Sequence, residues 1–116
     1  MNADFSFNET LDATKQSLDL SDKIIFKLYN SAIEVSQEVI DEIEQGIKSS
    51  DYAMIKNAAH KLKGASGSIR LDPMYELSLK LENDAKDQKD KDYSIELNKI
   101  KKYFSSFESA LKNLSN

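Results

Sequence analysis

The run Asn57-Ala58-Ala59-His60-Lys61-Leu62-Lys63-Gly64-Ala65-Ser66-Gly67-Ser68-Ile69-Arg70 holds the chain's only histidine and two of its three glycines. On a helix advancing about 100° per residue, Ile55, Ala58, Leu62, Ala65 and Ile69 fall within roughly 60° of the direction opposite His60. The spacing predicts a helix with an apolar stripe on one side and the imidazole on the other. Gly64 and Gly67 fall within roughly 40° of His60, so the surface beside the ring lacks side chains. An interior glycine costs a helix about 1 kcal/mol relative to alanine. Two such costs beside one exposed histidine point to something that must approach the ring closely.

Working outward, one proline and three glycines in 116 residues leave few turns, and no long segment alternates at period two. The chain therefore reads as nearly all helical. Residues 1–20 hold a short first helix, with capping-box spacing at Ser6 and Glu9, a thin stripe of Leu11, Thr14 and Leu18, and Phe5, Phe7 and Leu20 to pin it down. A longer helix starts at Ser21 or Asp22 and ends near Lys48. It carries Ile24, Leu28, Ala32, Val35, Val39, Ile43 and Ile47 at spacings of three or four, broadened by Ile25, Tyr29, Ile33 and Ile40. Asp51 caps the helix that bears His60, which runs to about Ile69. Asp72-Pro73 starts the next, with Met74, Leu77, Leu81 and Ala85 on its buried side. The charged stretch Asp84 to Asp92 frays into a loop, and Asp90 or Asp92 caps a last helix whose Leu97, Ile100, Phe104, Phe107, Leu111 and Leu114 form a seam. These elements predict an all-α, antiparallel up-down-up-down four-helix bundle with a short additional N-terminal helix. One domain spans 1–116, residues 1–20 being an N-terminal segment and 21–116 the bundle.

Composition narrows the function. Charged residues make up 31% and hydrophobic ones 40%, as in a globular chain. A net charge of −4 argues against nucleic-acid binding, which needs a concentrated basic face. No apolar run approaches the ~20 residues of a membrane span, and no basic-then-apolar leader opens the chain, so the expected location is the cytoplasm. Without cysteine there are no disulfides or thiolate metal sites. One histidine and no Glu-x-x-His pair leave no zinc or di-iron site, and Asp87, Asp90 and Asp92 lack the glycine and glutamate of a calcium loop. No metal or other cofactor is expected on this chain. Gly64-x-x-Gly67 follows no strand and precedes no Gly-Lys-Ser/Thr, so it is not a phosphate loop. Ser66 lies across the helix from His60, which rules against a serine–histidine couple.

His60 itself remains. Lys56 lies one turn before it and Lys63 one turn after, with Lys61 and Arg70 at the edges, making a local positive patch in an acidic chain. Such a patch suits an anion, and a phosphoryl group on the imidazole would be one. If the chain reverses near Leu71, a residue eleven before the turn meets one eleven after it, which brings His60 near Glu82. A carboxylate there accepts from Nδ1–H and leaves Nε2 with its lone pair. An oriented neutral imidazole of this kind is a nucleophile. Glu82 can equally be a surface acid paired with Lys86 at i,i+4.

The segment His60-Lys61-Leu62-Lys63-Gly64-Ala65-Ser66-Gly67 resembles the signature of histidine-containing phosphotransfer domains, roughly His-x-Leu-Lys-Gly-Ser/Ala-Ser/Ala-Gly, at every position. The resemblance takes in Ala58-Ala59, Asp51-Tyr52 and Leu81-Glu82, and covers about Leu20 to Leu114. One position departs: the family often has glycine where this chain has Arg70. The resemblance implies a phosphorelay carrier in which His60 takes a phosphoryl group from the aspartate of one receiver domain and passes it to another. It implies Lys63 near the phosphoryl oxygens, Glu82 as the orienting acid, and Lys56, Lys61, Gly64, Gly67 and Arg70 on the docking face. The Mg²⁺ of such a reaction sits on the partner receiver. Expected partners are response-regulator receiver domains and a sensor (hybrid) histidine kinase, with the carrier a monomer and no autokinase. Two other readings fit the same residues. One is a helical docking module that binds receivers or other signalling partners without phosphotransfer. The other is a domain of a chemotaxis-type kinase, phosphorylated by a separate catalytic domain.

Overall fold

Helix ends give this chain its shape, because each reversal is set by a few backbone groups. In the computed structural model, which describes residues 22–114, four helices follow one another: α1 (Asp22–Lys48), α2 (Tyr52–Ser68), α3 (Asp72–Lys86) and α4 (Ser94–Leu114). The expected N-terminal helix and the anchoring by Phe5, Phe7 and Leu20 lie outside the described residues. Each helix packs on the next, and α1 also packs on α4, closing an antiparallel four-helix bundle. Among the described residues no helix is long and apolar enough to cross a membrane.

Asp51 caps α2 as expected, its carboxylate accepting from the N–H of Met54 at 3.1 Å. The start of α3 differs by one residue from the sequence reading. Leu71 is its cap and supplies no side-chain bond, while Asp72 lies inside the first turn, favourably placed against the positive end of the helix. Asp92 rather than Asp90 serves α4, accepting from the Ser94 N–H at 3.0 Å.

The first three helices end alike. Leu71 N–H bonds to Ser66 O at 2.9 Å and Arg70 N–H to Gly67 O at 3.3 Å; Ser50-Asp51 and Gln88-Lys89 repeat the pattern at the ends of α1 and α3. This paired arrangement forces the residue after the cap into the left-handed region. The residues there are Ser50, Arg70 and Gln88, at φ 55°, 59° and 52°, and none is a glycine. The departure noted at Arg70 now has a physical meaning: the backbone there favours glycine, and arginine is carried at a conformational cost.

The core joins Tyr29 and Ile43 of α1, Ile55, Ala58, Ala59 and Leu62 of α2, Met74 and Leu81 of α3, and Leu97, Ile100, Phe104, Phe107 and Leu111 of α4. Tyr29 meets Phe107 edge to face, ring centres 5.4 Å apart. The α1 stripe is turned relative to the sequence reading. Ile24 and Val35 are exposed, and Ser36 and Gly46 are buried. A small residue is needed at Gly46 because α2 comes close: a Cβ there would stand 2.9 Å from Ile55 Cγ1 and 3.1 Å from the Ile55 nitrogen.

The charged stretch before α4 is not wholly solvated. α3 persists to Lys86, and Lys91 reaches back to bridge Asp84 at 2.7 Å and Glu96 at 2.6 Å, all three largely buried. Its ammonium also lies 5.2 Å from the centre of the Tyr93 ring. Burial alone would raise the Asp84 carboxyl, but Lys91 and Lys80 outweigh it and hold it below the usual range.

Two glycine-related substitutions should move stability in opposite directions. Gly46→Ala gains about 1 kcal/mol of helix propensity but overpacks α1 on α2 by about 1–3 kcal/mol, so its thermal midpoint should fall. Arg70→Gly relieves a left-handed side chain at about 1–2 kcal/mol, offset by about 0.4–1 kcal/mol of unfolded-chain entropy, so its midpoint should rise by a few degrees. Thermal unfolding followed by circular dichroism checks both.

Candidate functional site

The turn at Ile69–Leu71 fixes which residues of α2 and α3 face each other. Gly67, four residues before Leu71, lies against Tyr75, four after it; His60, eleven before, meets Glu82, eleven after. His60 Nδ1 is 2.7 Å from Glu82 Oε2, and the ring is 66% exposed while the carboxylate is only 17% exposed. An ionised carboxylate only accepts, so in the neutral ring the proton sits on Nδ1 and Nε2 presents its lone pair outward.

Glu82 holds a second group. Lys63 Nζ lies 2.7 Å from Oε1 of the same carboxylate, and that lysine is 23% exposed. The two α2 residues nearest Glu82 thus converge on its two oxygens. Burial pushes the Glu82 carboxyl up, yet Lys63 and then His60 together hold it below the usual glutamate range. Contact with Glu82, working against partial desolvation, raises the Lys63 ammonium. Glu82 is therefore a paired inter-helix group and not a surface partner of Lys86. This Lys63 contact escaped the sequence reading. The signal was present, since the turn that brings Glu82 to His60 brings it to the residue one helical turn further on.

The remaining expected site residues separate. Lys56 is half-buried on the same side as His60 and, among the described residues, has no ion pair. Lys61 points toward α1, its ammonium 3.3 Å from Glu42 Oε2. Gly64 has open space where its side chain would be, with no atom within 4 Å. Gly67 differs, because a Cβ there would stand 3.2 Å from the Tyr75 ring. Its small size serves the α2–α3 contact, whatever else it serves. Arg70 sits in the turn, about 15 Å along the helix axis from His60 at 1.5 Å per residue. Ser66 is buried with no partner for its hydroxyl among the described residues, facing the core and not the ring.

What the arrangement offers is an exposed imidazole nitrogen with a free lone pair, oriented from behind by a partly buried acid, with a cation one turn away and a bare glycine beside it. Glu82→Ala should release the ring to redistribute toward the Nε2–H tautomer, readable in the ¹⁵N shifts of its two nitrogens. Glu82→Gln, whose carbonyl still accepts, should keep Nδ1–H. Because the folded-state Glu82 carboxyl is held low, its contribution to stability is present above the ordinary glutamate range and is lost as pH falls below that range through the lowered folded value. The acid limb of a stability–pH curve should accordingly be shallower in Glu82→Gln than in the parent chain.

The Hpt domain family model matches residues 27–115. In backbone, the chain is similar to the crystal structure of histidine-containing phosphotransfer protein B (HptB) from Pseudomonas aeruginosa PAO1. The TM-score is 0.80 at 14% identity, over 97% of this chain and 95% of that one. It is similar also to the HPT domain from the Hpt sensor hybrid histidine kinase from Shewanella, with a TM-score of 0.76 at 20% identity over 90% of each chain. At such identities these likenesses speak to the fold alone. A search of curated protein sequences gives no match. With the family match extending from within α1 to the end of α4, and the four-helix fold shared with both structures, this chain belongs to the Hpt domain family.

Proposed function

We propose that the chain relays phosphoryl groups between aspartates of receiver domains, carrying them on His60 Nε2. The observation that supports this most directly is the His60 Nδ1–Glu82 contact at 2.7 Å on a ring that is otherwise open to solvent. The Nε2 lone pair attacks the phosphorus of an aspartyl phosphate; an N–P bond forms, the acyl O–P bond breaks, and the aspartate leaves as a carboxylate. The Nδ1 proton stays on the ring, where Glu82 stabilises the positive charge that the ring gains. The reverse step discharges the group onto a second receiver's aspartate. The receiver brings the divalent cation, and this chain contributes a positioned nucleophile and a surface that fits the receiver. Lys63, already beside Glu82, is one turn from the ring and serves the phosphoryl oxygens. On this reading the chain is a carrier and has no autokinase activity. It works with receiver domains and a hybrid sensor kinase, and it acts in the cytoplasm as a monomer.

Gly64 supports the same reading by elimination. Nothing among the described residues requires a glycine there, so its cost to the helix of about 1 kcal/mol has no structural return among them. Gly64→Ala should raise the thermal midpoint. Gly64→Leu should cut transfer from a phosphorylated receiver by about tenfold or more, since small misplacements of reacting groups carry such penalties, with helix content unchanged. The central test is ³²P transfer from labelled receiver domains. Label should appear on His60, be labile to acid, and be absent in His60→Gln. Label that persists in His60→Gln, or that resists acid, contradicts the assignment. The docking-module reading instead requires unchanged signalling output in His60→Gln.

A further inference from the structure

The end of α3 is a weak helix by local measures. Its last residues are Glu82-Asn83-Asp84-Ala85-Lys86, in which asparagine and aspartate rank low in propensity and only Lys86 suits the negative end of the helix. Apolar packing there is slight as well, since beyond Leu81 the one buried residue of α3 is Ala85, a single methyl. The helix nevertheless continues to Lys86. A tether supplies what propensity lacks: the Lys91 ammonium lies 2.7 Å from Asp84 of α3 and 2.6 Å from Glu96 of α4.

The loop that carries this tether is itself fixed. Tyr93, whose ring centre is 5.2 Å from the ammonium, donates its hydroxyl to Lys89 O at 2.8 Å and meets Tyr52 at the start of α2 edge to face, ring centres 6.1 Å apart. Lys80 also reaches Asp84, at 3.3 Å, but from an exposed position on α3 itself, so it adds charge without tying α3 to α4. Glu82 and Asp84 stand two residues apart, about 200° around the helix. One carboxylate is held by α2 and the other by the connection to α4, so α3 is pinned from both sides at the turn that orients the imidazole. In an α-helix ending at Lys86, the Glu82 carbonyl is taken by the Lys86 N–H. Fraying from Asp84 onward would therefore release the backbone of Glu82.

We propose that Lys91 is a positioning residue for the imidazole: by clamping Asp84 to α4 it keeps the last turn of α3 helical, and so keeps Glu82 on His60 Nδ1. Its importance to transfer rests on the phosphotransfer reading above, whereas its effect on the ring does not. Lys91 acts through α3 and not on the reacting group, since its ammonium is engaged by Asp84 and Glu96. Without that ammonium two largely buried carboxylates, one on each helix, face each other across the α3–α4 junction. A buried charge that has lost its counter-ion is relieved by reaching water. The weakly packed end of α3 is the segment that opens most easily to allow it.

The test reads His60 directly. In Lys91→Met the ¹⁵N shifts of the ring should move from the Nδ1–H tautomer toward Nε2–H, and transfer from a ³²P-labelled receiver domain should fall by about tenfold. Lys91→Arg, which keeps the charge and can pair with both carboxylates, should restore the parent values. Because Lys91→Met also lowers stability, Phe107→Leu, a core change toward the other end of α4, serves as the comparison. It should lower the thermal midpoint yet leave the tautomer as in the parent, with every variant measured well below its midpoint. Lys91→Met/Glu96→Gln removes the stranded buried carboxylate, so the midpoint should recover while the tautomer does not, Asp84 remaining untied from α4. The same double variant carries the test if Lys91→Met does not fold. An unchanged tautomer without Lys91 overturns the proposal, as does an equal change in Phe107→Leu or a failure of Lys91→Arg to restore the parent ring. Failure of the phosphotransfer reading looks different: the parent chain itself would take no label from any receiver, and the tautomer comparison would be unaffected.

Discussion

The register of α2 against α3 is the constraint on which the rest of the molecule depends. It is set within a few residues, by the backbone bonds Leu71 N–H to Ser66 O and Arg70 N–H to Gly67 O. From that reversal the facing pairs follow in step: Tyr75 on Gly67 and Glu82 on His60. A shift of one residue would turn Glu82 away from the imidazole. Arg70 occupies the left-handed position that makes the reversal possible, at φ 59°. An arginine kept where glycine is favoured is a local cost accepted inside a strongly determined turn, since buried Ile69 and Leu71 flank it.

Glu82 then does two things with one carboxylate. It fixes the imidazole tautomer and it holds Lys63 against the seam, at 2.7 Å in each case. Partial burial makes both contacts stronger than they would be on an open surface, and the Lys63 ammonium with the His60 donor in turn keeps the acid ionised. The second buried ionic group, Lys91 with Asp84 and Glu96, works at the bundle end instead, tying the α3–α4 connection to both helices. The two sites share α3, where Glu82 and Asp84 point to different neighbours. One group orients an imidazole and the other closes a loop.

The three glycines stand in three different surroundings. Gly46 answers the close approach of α1 to α2, and Gly67 is crowded by the Tyr75 ring; Gly64 meets no atom among the described residues. In the sequence Gly64 and Gly67 looked equivalent, because the helical wheel places both beside His60. The wheel knows the direction of a residue but not what stands there. For the same reason it drew the α1 stripe through Ile24 and Val35, which are exposed. It missed Ser36 and Gly46, which are buried, Gly46 because small size matters more there than hydrophobicity.

The sequence by itself determined the helices, their order and their antiparallel packing, because periodic apolar residues and a few caps act locally and dominate so short a chain. It also determined His60 as an exposed ring, and it located Glu82 by counting from a single turn. The tertiary structure alone decided which lysines are neutralised, that Glu82 is shared between His60 and Lys63, and that Lys91 is a buried bridge within a stretch that reads as solvated loop. The physical reason is the same in each case. A charged side chain has several partners within sequence reach, at i,i+4 and across each turn, with interaction energies that differ little in water. Only packing, by removing water from some of these pairs and leaving others exposed, makes one partner prevail.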